Sequence, residues 1–215
     1  MTDPSQSPLA LHDELRAFYQ RSGFADSTGG RSCTVPVYTG CLLVPLPNIE
    51  VRRRFLKYHD LHHLITGYSV GRIGEGEVSA WELGTGSAFV SPTLGVMNLI
   101  ALSTGLVLQP GRMVRAFRRG CMGRNLYRAA TRADVDAGRW QDLGALRGDF
   151  LQVRPAPGGM LAALRSVEFG LYCGAALAIH AVIAVPAVVV RCITDLTLGY
   201  SVFEVVKPKK RADLY

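Results

Sequence analysis

Two long stretches of this 215-residue chain, residues 83–111 and 169–190, contain no Asp, Glu, Lys or Arg. They restrict its possible folds more than any other feature. A run with no charge cannot maintain a solvent-facing helix surface over that length, so protein or lipid must cover it. Each run is long enough for the roughly 20 residues that cross a bilayer. The first contains "GTGSAFVSPTLG" and reads as buried core helices split near Pro92. The second is made largely of Ala, Val, Ile and Leu, with His180 and Pro186 interrupting. It reads equally as a membrane helix or a deeply buried one, with His180 satisfied within its own helix. Arg165 precedes it, and Arg191, Lys207, Lys209, Lys210 and Arg211 follow, so flanking charge leaves the orientation open.

The rest of the composition is that of an ordered chain, 48% hydrophobic and 19% charged. The formal charge of +7 is concentrated. Arg112, Arg115, Arg118, Arg119, Arg124, Arg128 and Arg132 follow one another with no acid between Pro110 and Asp134. Such a basic face suits anionic lipid or a phosphate-bearing ligand. Few aromatic residues interleave with it and no nucleic-acid-binding signature is present, so nucleic acid is not an expected partner. The five cysteines are odd in number and form no CxxC pair, which predicts reduced thiols in a cytoplasmic protein. The N-terminal segment carries acids where a secretory signal would carry lysines, and no secretion is expected.

Apolar spacing predicts an amphipathic helix over 12–21, a second over 49–68 and a third starting near Gly74 or Glu75. "CTVPVYTGCLLVPLPN" before the second helix reads as a loop or a short strand-like connector, because its prolines remove ladder donors. "RPAPGG" at 154–159 is the candidate boundary. It divides a helical domain over 1–155 from an apolar helical extension over 156–215. The fold class expected is all-α, with a metal site between two adjacent helices and an additional apolar C-terminal helix.

The segment "RFLKYHDLHHLITGYSVGRIGEGE" holds three of the five histidines. Helical residues four apart share a face, so His59 and His63 can offer two imidazole nitrogens to one ion, with Asp60 in reach. Glu75 returns to the same point if the following helix packs back beside the first. Two imidazoles and two carboxylates suit zinc, manganese, iron or magnesium rather than copper(I). The plainer alternative is a solvated or capped histidine pair. His62 lies about 100° around the helix from His63, and it and Glu77 read as bystanders, Glu77 in an exposed or helix-dipole role. Trp81 reads as core. Zincin and HD-type phosphohydrolase patterns fit poorly: no Glu stands between the histidines, and the next aspartate after Asp60 is Asp134.

"HDLHHLITGYSVGRIGE" does match HDxxH, eleven residues, then Glu, and so resembles the signature of the ubiquinone (coenzyme Q) biosynthesis protein four family. "GRMVRAFRRGCMGRNLYRA" and "GRWQDLGALRGDFLQVRP" resemble later segments of the same family, and the resemblance covers roughly residues 10 to 155. It implies an all-helical, membrane-peripheral protein of ubiquinone or prenylquinone biosynthesis. His59, Asp60, His63 and Glu75 would be its metal ligands and catalytic residues, and zinc the expected ion, with iron, manganese or magnesium as alternatives. The implied reaction is oxidative decarboxylation of a prenylated carboxy-phenol at the carboxylate-bearing ring carbon. The implied partners are an isoprenoid-tailed quinone precursor, the inner face of a membrane, other enzymes of the pathway and a second copy of the chain. Residues 83–108, with small residues at Gly84, Gly86, Ser87 and Gly95, would line the tail groove. Two other readings stay open, a non-catalytic isoprenoid-binding scaffold and a metallohydrolase using Asp60 as base.

Overall fold

A computed structural model describes residues 10–22, 34–39 and 42–197. The chain is all-α with one added hairpin. Its helices are α1 (Leu11–Arg21), α2 (Glu50–Thr66), α3 (Arg72–Gly84), α4 (Pro92–Leu108), α5 (Pro110–Cys121), α6 (Ala129–Asp136), α7 (Leu143–Phe150) and α8 (Gly159–Thr197). The Pro-rich connector forms the strands β1 (Thr34–Thr39) and β2 (Leu42–Pro47), paired antiparallel with Pro36 opposite Pro45. Two facing prolines suit a non-hydrogen-bonded pair, where neither nitrogen is needed by the ladder. The strand-like alternative for this segment is therefore the one that forms. Cys33 and Cys41 lie outside the described residues, and Cys121, Cys173 and Cys192 are free thiols.

Local chemistry sets the helix ends. Gly67 closes α2 at φ 77°, the left-handed conformation that side chains disfavour. Ser91 accepts a hydrogen bond from the Leu94 amide ahead of Pro92 in the first turn of α4, so the charge-free run 83–111 is divided there. Asp142 caps α7 through the Ala145 amide at 2.8 Å.

Two apolar clusters form the core. One joins α1, α2, α6 and α7 through Phe18, Phe55, Leu61, Ile65, Leu146 and Phe150. The other joins α3, α4, α5 and α8 through Leu83, Leu102, Met113, Phe117, Phe169 and Ala176. Helix α3 is central, and its backbone touches that of α5. A Cβ on Gly120 would stand 2.1 Å from the Trp81 carbonyl oxygen, too close for any side chain. Trp81 itself is fully buried, as expected of a core residue. The small residues read above as lining a lipid groove are partly taken up by protein contacts: the Phe117 carbonyl occupies the side-chain space of Gly84, and Ser87 accepts a hydrogen bond from Asn98.

Helix α8 begins at Gly159, where "RPAPGG" ends, and packs one stripe, Phe169, Tyr172, Cys173 and Ala176, into the second cluster. Its other faces expose Leu164, Val167, Leu171, Val182 and Val185. From Gly159 to Pro186 its mean hydropathy is 1.8, and only 11% of its most apolar window is buried. It is the one helix among the described residues long and apolar enough to cross a membrane. The Nδ1 of His180 is buried and has no hydrogen-bond partner among the described residues, in contrast to the satisfied histidine expected there.

Because the α3–α5 contact has no room for a methyl group, Gly120→Ala should lower stability by about 1–3 kcal/mol or more. Urea denaturation followed by circular dichroism measures this, and an unchanged midpoint would mean that the two backbones can separate freely.

Candidate metal centre

His59 and His63 stand on successive turns of α2, their rings nearly perpendicular at 87° with centroids 4.9 Å apart. Helix α3 runs back alongside. Gly74 allows the tight return, since a Cβ there would lie 1.9 Å from the Ser69 carbonyl oxygen. The first turn of α3 then brings Glu75 to both histidines. His59 Nε2 lies 3.2 Å from Glu75 Oε2, and His63 Nε2 lies 3.4 Å from Glu75 Oε1. One donor atom each from His59, His63 and Glu75 falls within 4.8 Å of the other two.

The far sides of the rings determine what the near sides offer. His63 Nδ1 meets the Tyr68 carbonyl at 3.1 Å, and a carbonyl only accepts, so Nδ1 carries a proton in that contact. A neutral His63 then has a bare Nε2 lone pair, and this atom is buried with no hydrogen-bond partner. With His63 in that neutral tautomer, the 3.4 Å approach of Glu75 sets a lone pair against a carboxylate; with the ring protonated, the same contact is an ion pair. His59 Nδ1 similarly lies 2.9 Å from Glu82 Oε1, which leaves its Nε2 turned toward Glu75. An orphaned buried nitrogen facing a carboxylate and a second imidazole is relieved by a shared cation, and this donor set fits a divalent ion. The site is open on one edge: the Glu75 side chain is 36% exposed, whereas that of His63 is 1% exposed.

Asp60 lies outside this three-residue group. It is buried, and its Oδ2 accepts a hydrogen bond from Tyr19 at 3.0 Å. Burial pushes its carboxyl upward, against the opposing charge of His59 and the Tyr19 hydrogen bond. Two residues read as bystanders are integral to the structure. His62 is fully buried, with Nδ1 2.7 Å from Glu82 Oε1 and Nε2 accepting the Leu126 amide at 2.9 Å. Glu77 is buried rather than exposed, because the Arg112 guanidinium pairs with both its oxygens at 2.8 and 2.7 Å.

Glu82 was not among the expected site residues. It stands seven positions, about two helical turns, beyond Glu75, and a same-face spacing of that kind was the available signal.

Arginines of the basic run also support the site from within. Arg119 donates to the Thr66 carbonyl at 2.8 Å, and Arg132 donates to the Tyr127 carbonyl. Arg147, from α7, donates to the Leu64 carbonyl at 2.7 Å, closing the end of the helix that carries both histidines. Arg115, Arg118, Arg124 and Arg128 remain on the surface. Arg124 and Arg128 line a polar cleft of about 720 Å³ with Arg154, Asn125 and Thr85. That cleft lies at the far end of α3, roughly 15 Å along the helix from Glu75.

Burial lowers the affinity of His59 for protons, but the Glu82 charge and the hydrogen bonds with Glu75 and Glu82 outweigh it and hold its pKa well above the free value. A metal ion taking the His59 Nε2 must therefore displace a proton. Zinc affinity should rise with pH until the His59 pKa is passed, by up to about tenfold per unit for each proton displaced. Chelator competition between pH 6 and 8 checks this, and a flat profile would contradict it. Comparison with protein-family models, with curated proteins and with solved structures finds no match to this chain.

Proposed function

We propose that the chain is a membrane-attached, metal-dependent enzyme acting on an isoprenoid-tailed phenol carboxylate of quinone biosynthesis. The observation that carries this reading is the convergence of His59 Nε2, His63 Nε2 and Glu75 at one open-edged point, on residues spaced as HDxxH-x11-E. His59, His63 and Glu75 would hold a divalent ion, zinc in the first instance, and Asp60, the fourth residue of the motif, would add a carboxylate beside them. When bound, such an ion polarises a carboxylate or phenolate and draws electron density from the ring carbon to be decarboxylated.

The chain's own residues supply the setting. His63 is fixed by the Tyr68 carbonyl and stacked against Phe18, which keeps water from its inner side. Glu75 forms the exposed edge by which a substrate carboxylate approaches. In the proposed reaction the bond from the ring carbon to the carboxyl breaks to release carbon dioxide, and a carbon–oxygen bond forms in its place. One atom of dioxygen becomes the new hydroxyl, and the other leaves as water with two protons and two electrons from an external hydride-donor cosubstrate. The exposed sides of α8 support attachment at a membrane, and the surface arginines Arg115 and Arg118 suit anionic headgroups.

Purified protein should carry about one divalent ion per chain together with isoprenoid lipid, measured by elemental analysis and mass spectrometry. His63→Ala should fold with wild-type circular dichroism, lose the ion and lose conversion of a carboxylated prenylphenol. Metal and lipid present without turnover would replace the enzyme by a scaffold. The absence of both would remove the reading altogether.

A further inference from the structure

The hydrogen bonds around Glu82 form a directed chain. A backbone amide only donates, so Leu126 N–H, 2.9 Å from His62 Nε2, requires that nitrogen to be bare. Neutral His62 then carries its proton on Nδ1 and donates to Glu82 Oε1 at 2.7 Å. The Tyr127 hydroxyl donates to the same oxygen at 2.6 Å, and His59 Nδ1 lies 2.9 Å from it. Three donors from α2 and the segment before α6 thus converge on one oxygen of a carboxylate that is 0% exposed. The second oxygen, Oε2, is buried without a hydrogen-bond partner. A carboxylate so confined has no freedom to exchange oxygens or to release His59. A structural role alone would be served by a neutral glutamine, but a glutamine could turn its amide toward His59 and demand the opposite tautomer.

Resting on the metal reading above, we propose that Glu82 is a positioning residue: held by His62 and Tyr127, it fixes His59 with the proton on Nδ1 and the Nε2 lone pair presented to the ion. The direction of the chain is set by Leu126, a backbone group 64 positions beyond His62. Leu126 thus sets the tautomer of His62, and the carboxylate of Glu82, which only accepts, sets that of His59. An outer partner of this kind typically accounts for about 10–100-fold in metal affinity.

The test is ¹⁵N NMR of histidine-labelled, zinc-loaded full-length protein, alongside chelator competition. Wild type should bind zinc through Nε2 of both His59 and His63, with a retained proton on Nδ1 of His59. Glu82→Gln should keep its circular dichroism, lose about 10–100-fold in zinc affinity and lose the uniform Nε2 attachment at His59. Coordination of wild-type zinc through His59 Nδ1 overturns the proposal. So does a folded Glu82→Gln protein with wild-type affinity and unchanged Nε2 attachment. If the variant does not fold, the wild-type spectrum still decides the point. If wild type binds no zinc, the metal reading fails, and the metal-free spectrum tests the chain by itself: a neutral His62 protonated on Nε2 rather than Nδ1 overturns it.

Discussion

One carboxylate oxygen, Glu82 Oε1, ties together the parts of this molecule that have to be in register. It receives His62, Tyr127 and a contact from His59 at 2.6 to 2.9 Å, deep inside the protein. A buried carboxylate without such partners would cost several kcal/mol or give up its charge. The donors therefore do more than decorate it. They lock α2 to α3 and both to the segment carrying Tyr127. Burial alone would raise the Glu82 pKa, but the His59 charge and the histidine hydrogen bonds hold it well below the ordinary carboxylate range, so the charge persists. Helix α3 thereby acts as a rail: Glu75 at its start faces the opening, Glu82 near its end is anchored, and Glu77 on another side is neutralised by Arg112.

Much of this was readable from spacing because helix geometry is periodic. His59 and His63 are four apart and had to share a face, and the glycines between them and Glu75 marked a tight return. The split of the charge-free run near Pro92 followed from the Ser, Thr, Gly and Pro content around it, and the Ser91 cap realises it. Other features depend on contacts between residues distant in sequence. Nothing near Glu77 announces Arg112, 35 positions on, so a buried ion pair looked like a surface acid. His62 points away from His63 as its position requires, but what it points at is on α3 and the Leu126 loop. The arginine run looked like one basic face, yet Arg112, Arg119 and Arg132 turn inward to a carboxylate and two carbonyls.

Helix α8 illustrates the limit from the other direction. An apolar run of its length specifies only that water must be excluded, by protein or by lipid. The structure divides the answer by face. The stripe through Phe169 and Ala176 is covered by α4 and α5, whereas Leu164, Val167, Leu171, Val182 and Val185 on its other faces are exposed. Because the same helix packs on the cluster that holds α3, attachment of α8 to a bilayer would bring the metal centre's scaffold along as a single unit.

The central claim is that α2 and α3 create one site for a divalent ion from His59, His63 and Glu75. X-ray absorption spectroscopy of the zinc-loaded protein addresses it most directly. The account predicts a first shell of nitrogen and oxygen only, at about 2.0–2.2 Å, with the outer scattering of two imidazoles. A sulfur shell near about 2.3 Å, or a spectrum without imidazole scattering, would contradict it.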